Sequence, residues 1–433
     1  MDGYLKCFFA AAVGSWFEWY DFAVYNSLAD VLGNNFFPTG DSSTELLQAL
    51  LVLACGYITR PFGGILIGHI GDRHGRRPAL FLSMMLMLLP TVAIGCLPTY
   101  HQIGIISTIL LMLLRMTQGF SVGGEYPAAI VFGMEHAPGP RKPFIGALMA
   151  CAGMSGTFSG SLVVAMVRDN LTKKQMSEYG WRVCFWFGVS IGVIGLFIRK
   201  HAHEAPEFKA MQACGRTSPN PVSEVMRDHR VTVVLVMCVH AIQACAWHQL
   251  FVWMHFLYGD GLPGIDKAIP HGHHLNTIMQ VAPVSVIILI GLSGWNPPVV
   301  WSLRLGTVAL GLSAVPIYVL IDFRIFWIAA AVQAYAVVVI SFTTWGVYYV
   351  MHSAFPASVR VAGVGLSNNF SAMIFGGTSP AICSALMRIG PVAPAAYLIS
   401  VSVMSSVALL LLNRMIPTLG KWGEKGAPLH AYA

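Results

Sequence analysis

The stretch Gly68-His69-Ile70-Gly71-Asp72-Arg73-His74-Gly75-Arg76-Arg77-Pro78 is a short, charge-dense turn between two long apolar runs. The runs cover roughly residues 46–69 and 78–97. Each has about the 20 residues that a helix needs to cross a bilayer core. A turn this short between two such runs reads as a helical hairpin, and its arginines place it on the cytoplasmic side.

The composition supports the same class. Of 433 residues, 56% are hydrophobic and 10% charged, and the mean hydropathy is +0.65. A soluble domain carries about 25% charged residues, so this chain lacks the ionic surface that a globule of its size needs. The 43 glycines and 24 prolines are too dispersed for collagen or a low-complexity chain. A soluble enzyme, a nucleic-acid binder and a disordered scaffold are excluded. The net charge of +7 sits in short clusters between apolar runs rather than in one basic field. The nine cysteines form no C-x-x-C pair and read as small packing residues. The first apolar run contains Glu18 and Asp21, which a signal-peptide core tolerates poorly, so it reads as a spanning helix.

Working outward from the turn, twelve apolar runs can be marked, near 5–32, 46–69, 78–97, 104–134, 143–167, 182–200, 230–258, 274–294, 299–320, 325–352, 361–387 and 394–415. They are long and continuously apolar, which favours helices over a barrel. With both termini cytoplasmic, the inner side takes most of the 26 Lys and Arg residues, including Arg73, Arg76, Arg77, Arg199, Arg360, Lys421 and Lys425. The outer side takes few, Arg168, Lys267 and Arg388 among them. The predicted organisation is all-α: a six-helix bundle over 1–200, a cytoplasmic loop over 201–229, a second six-helix bundle over 230–416 and a cytoplasmic tail over 417–433. A weak repeat supports two halves. Residues Glu135 to Arg141 and His352 to Arg360 both place an arginine shortly after a proline at a helix start.

Several motifs now carry a resemblance. Gly68 to Pro78 resembles the loop motif of the major facilitator superfamily. Glu18-Trp19-Tyr20-Asp21-Phe22, Arg60-Pro61-Phe62-Gly63-Gly64 and Arg115 to Tyr126 narrow it, as do Trp181-Arg182 and Glu204-Ala205-Pro206-Glu207-Phe208. So do Phe355-Pro356 through Arg360 and Phe375 to Pro380. Together they are similar to the metabolite:proton symporter family, which carries organic acids and zwitterionic osmolytes. The resemblance implies twelve helices, alternating access and proton-coupled uptake. The second half departs from the pattern: the loop Gly291 to Pro298 lacks the aspartate and the arginine cluster.

A charge inside a span costs about 2.5–3.5 kcal/mol on insertion scales, so each is a functional candidate. Glu18 and Asp21 share a helix face, and with Glu125 they are the proton-coupling candidates. The alternative is that they pair with Arg60 or Arg115 and lock helices together. Arg115 can hold a carboxylate bidentately and is the expected substrate anchor, with Gln118 one turn on; the alternative is a permanent bridge to a span-one acid. Tyr25, Asn369 and His248 complete the expected substrate set. Gly68, Asp72, Arg73, Arg76 and Arg77, with Arg60, are the expected conformational gate, or else a simple positive-inside anchor. Within span seven, His240, His248 and His255 fall within about 80° on an α-helix and could line a cavity or merely pack. His271, His273 and His274 lack a completing ligand set, so no metal and no cofactor is expected. Span five, Gly146 to Gly160, is dense in small residues that permit close helix approach.

The reading is a transporter rather than an enzyme, since no nucleophile–base set or phosphate loop appears. Its expected partners are a small-molecule substrate, protons and the lipid bilayer, with no nucleic acid, in a monomer of the plasma membrane, the inner membrane in a bacterium. A dicarboxylate or related organic acid is the first expected substrate and a zwitterion such as proline or betaine the second. A sensor that keeps the fold without transport is a further alternative.

Overall fold

The computed structural model describes residues 3–258 and 268–420. Lys267, Lys421, Lys425 and nearly all of the expected tail lie outside them. The described chain is helical throughout, with no strand among the described residues. Among the described residues, ten helical segments are long and apolar enough to cross a membrane. The first expected span, which carries Glu18 and Asp21, is not in that set.

The chain divides into two compact units. The first comprises Met1–His136 and Ala152–Ser223. It contains α1 (Gly3–Ser27), α2 (Ala29–Phe36), α3 (Ser42–Arg73), α4 (Arg76–Cys96), α5 (Tyr100–Ile103), α6 (Ile105–His136), most of α7 (Lys142–Asn170), α8 (Lys173–Gln175), α9 (Trp181–Lys200) and α10 (Pro206–Ala213). The expected first span is thus two helices, and the loop after α9 carries a helix of its own. Close approach of α3 and α6 depends on missing side chains. A Cβ at Gly119 would strike the backbone of Gly56, and one at Gly123 the backbone of Arg60. The small residues of span five pack against α1: a Cβ at Gly156 would meet the Trp16 carbonyl, and one at Gly160 the Tyr20 carbonyl. Tyr20, Leu32, Phe36, Leu111, Trp181 and Phe185 belong to one apolar core of this unit. Phe17, Met84, Met87 and Val122 belong to another.

The second unit comprises Ala137–Cys151 and Glu224–Ala433. After α11 (Pro221–Asp228) its helices are α12 (Arg230–Trp247), α13 (Met254–Leu257), α14 (Gly272–Leu292), α15 (Val299–Asp322), α16 (Phe326–Ser353), α17 (Arg360–Ser371), α18 (Ser379–Met387) and α19 (Ala395–Met415). Two π-helical turns, His248–Trp253 and Ala372–Gly377, interrupt what read as single spans. The repeat seen in sequence has a structural counterpart, because Gly139–Arg141 and Ala357–Val359 are both single 3-10 turns that open into a long helix.

Candidate functional site

Asp21, Thr91, Arg115 and Gln118 come together inside the first unit. Arg115 Nη1 donates to Asp21 Oδ2 at 2.6 Å, and both side chains are buried. The Thr91 hydroxyl lies 3.0 Å from Asp21 Oδ1 and 2.9 Å from the Met87 carbonyl. Gln118 Nε2 donates to Thr91 Oγ1 at 2.8 Å. The Arg115 guanidinium lies 4.0 Å from the Tyr25 ring centroid, and the Tyr25 hydroxyl donates to the Ala49 carbonyl at 3.0 Å. Arg115 Nε and Nη2 and Gln118 Oε1 have no hydrogen-bond partner among the described residues. Three of the expected substrate residues, Arg115, Gln118 and Tyr25, therefore form one cluster. Thr91 was missed in sequence; a lone hydroxyl in an apolar run was its only signal.

One turn toward the N-terminus of α1, Glu18 is buried and its Oε2 is without a hydrogen-bond partner among the described residues. Arg60, Glu125 and Arg199 all act on it electrostatically. Arg60 is buried too, and its guanidinium stands 3.9 Å from the Tyr57 ring centroid and 5.0 Å from that of Phe22. Its Nε and Nη2 find no acceptor among the described residues. Glu125 is held differently. Arg199 donates to it from both terminal nitrogens, and Ser83 Oγ donates to it as well. Arg199 also donates to the Ala10, Ala11 and Leu80 carbonyls. Gly14 makes room for this, since a Cβ there would overlap the Arg199 guanidinium. Arg199, counted on the inner side at a span end, is in the last turn of α9 and buried.

The turn between α3 and α4 forms a second cluster. Arg76 is buried and pairs with Asp72 at 3.4 Å and with Glu135 at 3.0 Å, while its guanidinium lies 4.9 Å from the Phe208 ring centroid. The start of α4 is capped from the central loop: the backbone N–H groups of Arg76 and Arg77 donate to Glu204. Gly75 has φ +120, and a Cβ there would also strike Glu204. Arg73 and Arg77 are exposed and donate to the carbonyls of Pro219 and Lys200. Gly68 is buried near the end of α3. Arg60 does not join this group. It lies twelve residues back along α3, or about 18 Å at 1.5 Å per residue.

In the second unit, His248 and Asn369 are engaged with their own helices. His248 Nδ1 lies 2.8 Å from the Ala244 carbonyl, and Asn369 Nδ2 donates to the Gly365 carbonyl at 2.8 Å. The histidines of span seven stand in different surroundings. His240 is buried, whereas His255 is exposed and stands 4.4 Å, centroid to centroid, from His273. The π-helical turn at His248–Trp253 changes the pitch between them. The degenerate loop is held by neutral bonds: Asn296 Nδ2 donates to the Pro140 carbonyl at 3.1 Å, and Trp345 Nε1 to the Pro297 carbonyl at 3.3 Å.

Residues 7–228, which contain both charged clusters, match the family described as sugar (and other) transporter. The chain belongs to that family, within the major facilitator superfamily. The fold of this major facilitator is similar to that of the proton:xylose symporter bound to 6-bromo-6-deoxy-D-glucose, with a TM-score of 0.73 at 14% identity over 96% of each chain. Among curated proteins it is similar to the proline/betaine transporter of Salmonella typhimurium, at 28% identity over 94% of this chain and 83% of that one. It is also similar to the ectoine/proline transporter of Corynebacterium glutamicum, at 30% identity over 95% and 84%. It is a multi-pass membrane transporter and not an enzyme.

Proposed function

We propose that this carrier has twelve spans with both termini cytoplasmic, and that it couples an inward proton flow to uptake of a small zwitterion by alternating access. The observation that carries the coupling is the buried Asp21–Arg115 pair, whose guanidinium keeps two unbonded nitrogens. Protonation of Asp21 removes the charge that holds Arg115. The freed guanidinium then turns its field on the substrate, so proton and substrate favour each other's binding. Thr91 and Gln118 hold Asp21 in place through the step. Glu125, already bonded to Arg199 and Ser83, braces α6 against α9 and α4.

The organic-acid expectation gives way to the zwitterionic one. Both similar carriers are named for proline, with betaine or ectoine beside it. The local charges agree: Glu18, Asp21 and Glu125 match Arg60, Arg115 and Arg199, all buried in the same unit. Protonation of Asp21 frees one positive charge, short of the two that a dianion needs.

The test is uptake of labelled proline, betaine, ectoine and succinate into proteoliposomes, with and without an inwardly directed proton gradient. Gradient-driven accumulation of a zwitterion is expected. Accumulation of succinate alone would overturn the substrate class. Zwitterion uptake indifferent to the gradient would overturn the coupling.

A further inference from the structure

Arg60 and Glu18 are both ionisable and buried, and neither takes part in an ion pair among the described residues. Their neighbours differ in this respect. Asp21 is matched by Arg115, and Glu125 by Arg199. A buried charge without a partner is costly, and it persists where something else supplies the missing charge.

The geometry sets the two opposite one another. Glu18 and Phe22 lie four residues apart on α1 and share a face, with a rise of about 6 Å between them. The Arg60 guanidinium stands over Phe22 and Tyr57, whose rings meet edge to face at 6.2 Å. Arg60 is thereby held within electrostatic reach of Glu18, and the two form no ion pair among the described residues. The unbonded nitrogens, Nε and Nη2, form one edge of the guanidinium, and its two parallel N–H bonds match the two oxygens of a carboxylate. The unbonded atom of Glu18, Oε2, is an acceptor and needs a donor.

We propose that Arg60 binds the substrate carboxylate and Glu18 its N–H-bearing ammonium group, so that the first unit alone recognises both charges of the zwitterion. Tyr57 and Phe22 position Arg60 for this. Arg115 offers a similar edge, but it is freed only when Asp21 is protonated, whereas Arg60 has no ion-pair partner among the described residues in either state. The proposal rests on the zwitterion reading above and sharpens it. A cation with N–H groups satisfies Glu18 Oε2, whereas a quaternary ammonium leaves that oxygen without a hydrogen bond. The site is thus specific for amino- and imino-acid head groups over fully methylated ones.

The experiment is competition against labelled proline in proteoliposomes containing the full chain. The competitors are proline, prolinamide, which lacks the carboxylate, and N,N-dimethylproline, which lacks the N–H. With wild-type protein each altered compound is expected to compete about 10- to 100-fold more weakly than proline, the range for a charged hydrogen bond in a buried site. In Arg60→Gln the gap between proline and prolinamide should collapse toward unity. In Glu18→Gln the gap between proline and N,N-dimethylproline should collapse. A merely structural role would lower uptake without changing these ratios, and unchanged ratios overturn the assignment. Collapse of the prolinamide gap in Arg115→Lys but not in Arg60→Lys would move the carboxylate to Arg115 and overturn it as well. Should the glutamine variants fail to fold, the wild-type series and Arg60→Lys decide: equal competition by prolinamide sinks the proposal. Wild-type protein that takes up no zwitterion would instead refute the zwitterion reading on which the proposal rests.

Discussion

Arg199 binds Glu125 through both terminal nitrogens of its guanidinium, one of them at 2.7 Å, from a position that its neighbour Lys200 marks as a helix end. The remaining donors go to carbonyls of α1 and α4. One side chain thus ties α9 to α1, α4 and α6, and it fits only because Gly14 has no side chain.

Removing one member of such a buried pair costs about 3–5 kcal/mol, because the other is left charged in an apolar surround. Glu125→Gln and Arg199→Ala are therefore expected to lower the thermal unfolding midpoint of the detergent-solubilised carrier sharply. Gly14→Val should do the same by displacing the guanidinium. Replacing both partners, as Glu125→Met with Arg199→Met, should cost less than the sum of the single changes. A double variant as unstable as that sum would remove the pair as the reason.

The Asp21–Arg115 pair makes a different prediction, because it is assigned to coupling. Asp21→Asn abolishes the titrating group but keeps a hydrogen-bond acceptor for Arg115 and Thr91. Gradient-driven accumulation should be lost, while exchange of external label for internal unlabelled substrate continues. Arg115→Lys should leave the protein in the membrane and weaken uptake, since an ammonium cannot reproduce the fork. Normal gradient-driven uptake by Asp21→Asn would remove that carboxylate from the coupling step.

How far the sequence reaches is clear from these residues. The turn at Gly68 to Pro78 announces the fold, because hydrophobic length and arginine placement are properties of the chain alone. Glu18, Asp21, Arg60, Arg115 and Glu125 were visible as costly charges in apolar runs. Their pairing was not, since it depends on helix rotation and on contacts between residues 74 and 94 positions apart. The inward turn of Arg199 was hidden for the same reason. Near a helix end, sequence cannot tell a snorkelling arginine from one turned inward. The break in the histidine face of span seven escaped as well, because a π-helical turn has no periodicity signal of its own.

At the turn between α3 and α4, Glu204 is the cap of α4, accepting from two backbone N–H groups at the end of the helix where its dipole favours a negative charge. Glu204→Ala is expected to destabilise by about 0.5–2 kcal/mol, the range for losing an N-cap. Arg76→Ala should cost more, because it strands the buried carboxylates of Asp72 and Glu135. Arg73→Ala, which loses one exposed hydrogen bond, should have little effect. Thermal unfolding of the three variants ranks them. Equal losses for Arg73→Ala and Arg76→Ala would contradict a latch centred on the buried arginine.

The π-helical turn of the second unit yields the last prediction. A π turn disturbs the regular ladder of carbonyl bonds, and Gln333 on α16 donates to the Leu250 carbonyl within it at 3.0 Å. The same Nε2 lies 2.9 Å from the Tyr258 hydroxyl and 3.2 Å from Asn276 Oδ1. Asn276 in turn donates to the Phe251 carbonyl at 2.8 Å. These buried amides replace bonds that a regular helix would supply from its own backbone. Gln333→Leu keeps the volume but leaves the Leu250 carbonyl and the Asn276 oxygen short of donors, at about 1–3 kcal/mol. Faster amide exchange is expected across residues 248–257, with α15 and α19 unaffected. Exchange that rises equally throughout the unit would mean that Gln333 supports the whole core and not the π turn.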